Sequence, residues 1–197
     1  MVNSIIPRSF YTRPDVVLIA RELLGKYLMT RFDGEITGGI ITETEAYEGV
    51  SDRASHAYGN RRTNRTEIMY HIGGTAYIYL CYGVHSLFNI VTNQIDIPHA
   101  VLIRSIKPVD GMNTMLTRTG KSNPGKKFGT GPGVVSKALG IHFSQTGSDL
   151  TKKQESGIWV EERGLKVDPG QILVTKRIGV EYSGEDALRP YRFVLSL

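Results

Sequence analysis

Apolar and polar positions alternate with two different periods along this chain. In "TRPDVVLIARELLGKYL" the spacing is helical: Val16, Val17, Ala20, Leu23 and Leu24 fall on one stripe. Pro14 suits the first turn of that helix, Asp15 suits its positive dipole end, and Gly25 can end it. "GGIITETEAY" changes to a period of two and reads as a strand. "GTAYIYLCYGVHSLFNIVT" reads as two strands with a turn near Tyr82-Gly83, and "HAVLIRSIKP" as another strand. "DGMNTMLTRTG" and "VVSKALGI" have the length of short helices, the second with Gly140 past its end. Between them "GKSNPGKKFGTGPG" is a glycine-rich basic loop. "GIWVEERG", "QILVTKRIGV" and "YRFVLSL" are expected to be C-terminal strands. With no repeat and no linker, the pattern predicts one α/β (α+β) domain over residues 1–197, a mainly antiparallel sheet with helices around it.

Strict alternation along "IITETEAY" puts Ile41, Glu43, Glu45 and Tyr47 on one face, with Thr42, Thr44 and Ala46 on the other. A face with two carboxylates is a poor core face, because buried carboxylates are costly unless paired. Two readings follow: an exposed edge strand, or the wall of a cleft that holds an acid or base. Same-face neighbours are roughly 7 Å apart at about 3.3 Å per residue, which also suits the carboxylate pair of a glycosidase. Downstream, Tyr77 and Tyr79 share a face with Cys81. A tyrosine inside a strand is usually core, but Tyr82 stands at the presumed turn, where an exposed ring can wedge between stacked bases.

Composition narrows the options. The 197 residues suffice for a real core; 40% are hydrophobic and 22% charged, as in ordinary globular proteins. A net charge of +5 favours acidic partners such as nucleic acid or anionic lipid. Arg61, Arg62 and Arg65 in "NRRTNR" are interleaved with asparagine and threonine, all able to contact phosphate. The single cysteine, Cys81, excludes an intrachain disulfide framework and fits a reducing compartment. "MVNSIIPRSFYTRPD" lacks the apolar run of a signal peptide, and no window of about 18 apolar residues exists for a membrane span. A cytoplasmic protein is expected. "TGKS" at Thr119–Ser122 has Met115 where a phosphate loop needs glycine, and the five histidines show no zinc spacing.

"ETEAYEG", "ASHAYG", "RRTNR", "GTAYIYLCYG", "FNIVT", "AVLIRSIKP" and "GPGVVSKALGI", in that order, resemble the alkyladenine (3-methyladenine) DNA glycosylase family. The resemblance runs from about Pro14 to the C-terminus. It implies a curved antiparallel sheet from which a β-hairpin protrudes and intercalates into DNA. It also implies a monofunctional glycosylase that flips damaged purines out of double-stranded DNA. By motif, Glu45 corresponds to the general base and Arg104 to its partner. Tyr47, His56 and Tyr79 correspond to the stack around the flipped base, and Asn89 to a pocket-floor side chain that crowds the guanine 2-amino group. Tyr82 corresponds to the residue that fills the vacated duplex position, while Arg61 and Arg65 resemble phosphate contacts. Val84-His85 and Thr66 depart from the family, whose members often carry methionine with an aromatic, and asparagine, at these places.

On this reading the lesion classes are 3-methyladenine, 7-methylguanine, hypoxanthine and ethenoadenine. No metal or other cofactor is needed, and a monomer acting in base excision repair is expected. A base must leave the stack before its glycosidic bond is reachable. Aromatic rings give sequence-tolerant stacking of roughly 1–3 kcal/mol per base and favour cationic alkylated bases. Two rival readings remain: a carbohydrate hydrolase using Glu43 and Glu45, and a non-catalytic nucleic-acid-binding module.

Overall fold

The computed structural model describes residues 3–197, so Met1 and Val2 of the N-terminal run lie outside the described residues. The strands are β1 (Ser4–Ile5), β2 (Tyr27–Phe32), β3 (Glu35–Tyr47), β4 (Ala76–Cys81), β5 (His85–Thr92), β6 (His99–Asp110), β7 (Ile158–Glu162), β8 (Ile172–Thr175) and β9 (Arg192–Leu195). The helices are α1 (Arg8–Tyr11), α2 (Val16–Glu22), α3 (Met112–Thr119), α4 (Pro132–Leu139) and α5 (Lys153–Ser156). All strand pairs are antiparallel. They form one curled sheet in the order β1-β7-β2-β3-β6-β5-β4, with β9 joining β3 and carrying β8.

The expected helix forms, but it is shorter and differently capped. Asp15 is the N-cap, its carboxylate accepting from the Leu18 amide at 2.8 Å, so Pro14 precedes the helix instead of lying in its first turn. After the turn at Gly25, Tyr27 and Leu28 begin β2, a strand that the sequence pattern did not separate from the helix. The β2–β3 turn places Asp33 and Gly34 both at positive φ, the two-residue geometry that Asp-Gly favours. "QILVTKRIGV" also falls short as a strand. Only Ile172–Thr175 pairs with β9, and the following residues leave the sheet for the site described below.

β3 organises the site because it forks. Its first half pairs with β2, and Glu43–Glu45 pair with β9, while β6 runs along the other edge. Between Ile41 and Thr44 the β3–β6 register slips, leaving Thr42 and Arg104 without Cα partners. The strict alternation expected for this strand is therefore broken. Ile41 joins Ala46 in the main core, and Thr44 donates its hydroxyl to the Ala20 carbonyl at 2.8 Å. Glu43, Glu45 and Tyr47 are left on the opposite face.

The two faces of the sheet have different jobs. Ile41, Ile78, Phe88, Ile90, Val101 and Ile103 pack into a core with residues of α2 and α4. On the other face a smaller cluster (Ala57, Met69, Tyr70, Tyr77, Val91 and Ala100) holds the 3-10 turns between Gly49 and Tyr70 against the sheet. Those turns wall off a cavity on this face. No helix among the described residues is long and apolar enough to cross a membrane.

Candidate active site

The cavity has a volume of about 350 Å³. Side chains of β3 (Tyr47), β4 (Tyr77, Tyr79), β5 (Asn89) and β6 (Arg104) line it, closed by His56. Alternation accounts for most of this: Tyr77, Tyr79 and Asn89 are the odd-numbered positions of strands whose even positions enter the core. His56 packs edge-on against Tyr79, with ring centroids 4.7 Å apart, and its Nδ1 lies 2.8 Å from the Tyr77 hydroxyl. Burial, then Arg65 and Arg61, lower the His56 pKa to about 4, so the imidazole is neutral at physiological pH. Asn89 is fixed by donating its amide to the Tyr77 and Leu87 carbonyls, each at 3.2 Å.

The two glutamates of β3 differ sharply. Glu43 accepts from Ser105 Oγ at 2.6 Å, Arg192 Nε at 2.6 Å and Arg104 Nε at 3.0 Å. Burial pushes its carboxyl up, but these donors outweigh burial and hold it below the ordinary value. Glu45 has no solvent exposure. Its Oε1 accepts from the Ile178 amide at 2.8 Å, and its Oε2 from the Tyr47 hydroxyl at 2.8 Å and Arg104 Nη1 at 3.4 Å. Here burial wins: the Glu45 carboxyl lies above its ordinary value, although Arg104, the Ile178 amide and Tyr47 oppose the shift. Tyr47 and Arg104 line the cavity and Glu45 does not, so its carboxylate stands just behind them.

The remaining expected residues are distributed around this cavity. Tyr82 is at the tip of the β4–β5 hairpin, 94% exposed, with φ of 51° beside Gly83 at 69°. A bulky side chain in the left-handed region costs about 1–2 kcal/mol, and solvent exposure offers no packing in return. Arg61 and Arg65 border a neighbouring cavity on the far side of His56. Arg65 also lies over the Tyr79 ring, its Cζ 5.0 Å from the centroid, so it touches the aromatic wall itself. Arg62 is occupied elsewhere, paired with Glu67 and Asp96.

A family model described as methylpurine-DNA glycosylase (MPG) matches residues 9–196. The chain belongs to the methylpurine-DNA glycosylase family. It is 44% identical over 193 residues to a protein named "Putative 3-methyladenine DNA glycosylase" from Chlamydia felis, covering 98% of this chain and 96% of the relative. A protein of the same name from Bdellovibrio bacteriovorus is 41% identical over 191 residues, covering 97% and 95%. As a methylpurine-DNA glycosylase family member the chain is a DNA-repair enzyme that hydrolyses N-glycosidic bonds.

Several residues around this candidate site went unnoticed in the sequence. Tyr77, expected in the core, also lines the cavity and bonds His56. Ser105 and Arg192 hold Glu43. The Ile178 amide and its neighbour Arg177 come from a segment expected to be strand. No local pattern marks them. Among the described residues no group of three or more His, Cys, Asp and Glu is placed to hold a metal.

Proposed function

We propose that the protein is a monofunctional DNA glycosylase, one domain over residues 1–197, that flips alkylated or deaminated purines from double-stranded DNA and hydrolyses their N-glycosidic bond with Glu45 as general base. The observation that carries this reading is the buried Glu45 carboxylate, held by Arg104 and Ile178 behind an aromatic cavity of about 350 Å³. That volume is at the small end of the roughly 300–1,000 Å³ of ligand pockets, suited to a single base and too small for a polymer chain.

The residues divide the work. Tyr47 on one side and His56 with Tyr79 on the other stack the extruded base. Tyr82 occupies the position the base leaves. Asn89, its amide fixed, crowds a guanine 2-amino group. Arg61 and Arg65 hold phosphates flanking the flipped nucleotide. When the Tyr47 hydroxyl turns away from Oε2, a water takes its place between Glu45 and Arg104. Glu45 accepts a proton from this water, the water oxygen bonds to C1′, and the purine departs with the electron pair of the C1′–N9 bond. A base alkylated at N3 or N7 already carries positive charge and leaves as a neutral molecule. The negative Glu45 also stabilises the positive charge that grows on the sugar.

Glu43 argues against a paired-carboxylate glycan hydrolase. Such an enzyme needs both carboxyls free to reach the scissile bond. Glu43 does not line the cavity, and its oxygens are taken up by Ser105, Arg104 and Arg192. A passive binding module leaves the buried, elevated Glu45 without a purpose. We assign the lesion range to 3-methyladenine, 7-methylguanine, hypoxanthine and ethenoadenine, and the working form to a cytoplasmic monomer at the DNA.

The test is base release from a panel of duplexes, each with one of these lesions, under limiting enzyme and with borohydride present. Multiple turnovers, free base and no trapped protein–DNA adduct are expected. Binding without release, or a trapped covalent adduct, refutes the proposal.

A further inference from the structure

Arg177 is 2% exposed and Asp52 has no exposure, yet neither lines the aromatic cavity. The guanidinium donates Nη1 and Nη2 to the two Asp52 carboxylate oxygens at 2.5 and 2.8 Å, a bidentate pair. It also donates to the Ala46 carbonyl at 2.9 Å and the Asp186 carbonyl at 3.0 Å. Its Cζ lies 4.8 Å from the Tyr47 ring centroid and 5.4 Å from that of Tyr191. Asp52 completes its own set by accepting from the Glu48 and Ala54 amides. One side chain thus ties the end of β3, the turn after it and the C-terminal segment together. The next residue in the chain is Ile178, whose amide is bonded to Glu45 Oε1.

A buried ion pair is weak evidence for net stability, since neutral replacements of similar shape are often as stable. Its cost is better explained by what it positions. Ala46 and Tyr47 flank Glu45 along β3, and Ile178 faces it from the other segment. Arg177 grips or covers each of these neighbours, so the distance between the Ile178 amide and Glu45 is set by this guanidinium.

We propose that the Arg177–Asp52 pair is a positioning device that holds the Ile178 amide on Glu45 and keeps Tyr47 against it. The proposal rests on Glu45 being the general base. Arg177 and Asp52 touch neither substrate nor the reacting atoms; they act through Glu45. The other charged or titratable groups around Glu45 are Glu43 and Tyr47 on β3, Arg104 on β6 and Arg192 on β9. Of these, Tyr47 lies under the Arg177 guanidinium, which also faces Glu45 electrostatically.

The test uses two variants of the full chain. The double variant Arg177→Gln with Asp52→Asn removes the pair, leaves net charge unchanged and strands no lone buried charge. Ile178→Pro deletes the amide donor and leaves the pair intact. In both, the Glu45 carboxyl, followed by carbon-13 NMR, should titrate at higher pH than in the wild type, because the Ile178 amide that favours the ionised form is displaced in the first and deleted in the second. The acid limb of excision should move the same way. Release at neutral pH should fall by about 10- to 100-fold, as a small misplacement of a reacting group produces, a larger loss than any in lesion-duplex binding. A Glu45 titration unmoved in both variants, or activity lost only in proportion to unfolded protein, overturns the proposal. Failure of the general-base reading looks different: the carboxyl would still shift, but excision would not follow its titration.

Discussion

Glu43→Gln removes one negative charge from a place where two guanidiniums converge. In the wild type the Glu43 side chain is 9% exposed, against 13% for Arg104 and 22% for Arg192, so solvent screens these contacts little. Breaking such a pair from one side costs about 3–5 kcal/mol. Glutamine keeps an amide oxygen that can still accept from one arginine, which recovers roughly half and leaves a loss of about 2 kcal/mol. For a chain of this size that is a Tm lower by about 4–8 °C at neutral pH. The pH dependence follows from the depressed Glu43 carboxyl. Its folded value lies below its unfolded value, so its contribution is present above the unfolded carboxylate range and is lost as pH falls through the folded value. The gap between wild type and variant should therefore close on acidification. Thermal unfolding by circular dichroism, from neutral pH into the acid range, measures it. Excision should fall by roughly tenfold or less, well short of what losing a general base costs, since Arg104 loses an anchor but Glu45 remains. An unchanged Tm, a gap that persists in acid, or an excision defect as deep as that of Glu45→Gln would refute this division of roles between the two glutamates.

Tyr82→Ala should weaken binding and excision on lesion duplexes and matter less for a lesion already unpaired; equal losses on both would contradict a wedge. Replacing Arg61 or Arg65 by glutamine should reduce the salt slope of DNA binding by about one unit without reordering the lesions. A reordering with an unchanged slope would assign that arginine to the pocket. Asn89→Ser should admit guanine-type bases more readily, and unchanged release of normal and alkylated guanine would remove the steric filter.

Much of the fold was legible because local signals agreed with each other. The Tyr82-Gly83 turn, the glycine after α4 and the runs that became β4, β5 and β6 each carried both a period and a punctuation mark. β2 was hidden because "YLMTRF" follows the helix with only Gly25 and Lys26 between them, although Asp33-Gly34 is a hairpin signal. Period-two reasoning failed at Ile41 because a register slip at Thr42 depends on the partner strand, which the strand's own sequence does not show. The slip is also what lets Arg104 and Ser105 both reach Glu43. Glu45, Tyr47, His56, Tyr79 and Asn89 could be named from motifs, and the structure gathers them around one cavity. Arg177 and Asp52 could not, since they are 125 positions apart and meet only after the C-terminal segment folds back over β3.

The proposed mechanism turns on Glu45 removing the proton from the attacking water. Glu45→Gln keeps the shape of the side chain and an acceptor for the Ile178 amide, but cannot take that proton. The direct measurement is single-turnover base release from one lesion duplex, with lesion binding measured in parallel on the same wild-type and variant preparations. Binding should be retained while release falls by at least the roughly 10²–10⁴-fold that acid–base groups supply. Near-normal release by Glu45→Gln would contradict it.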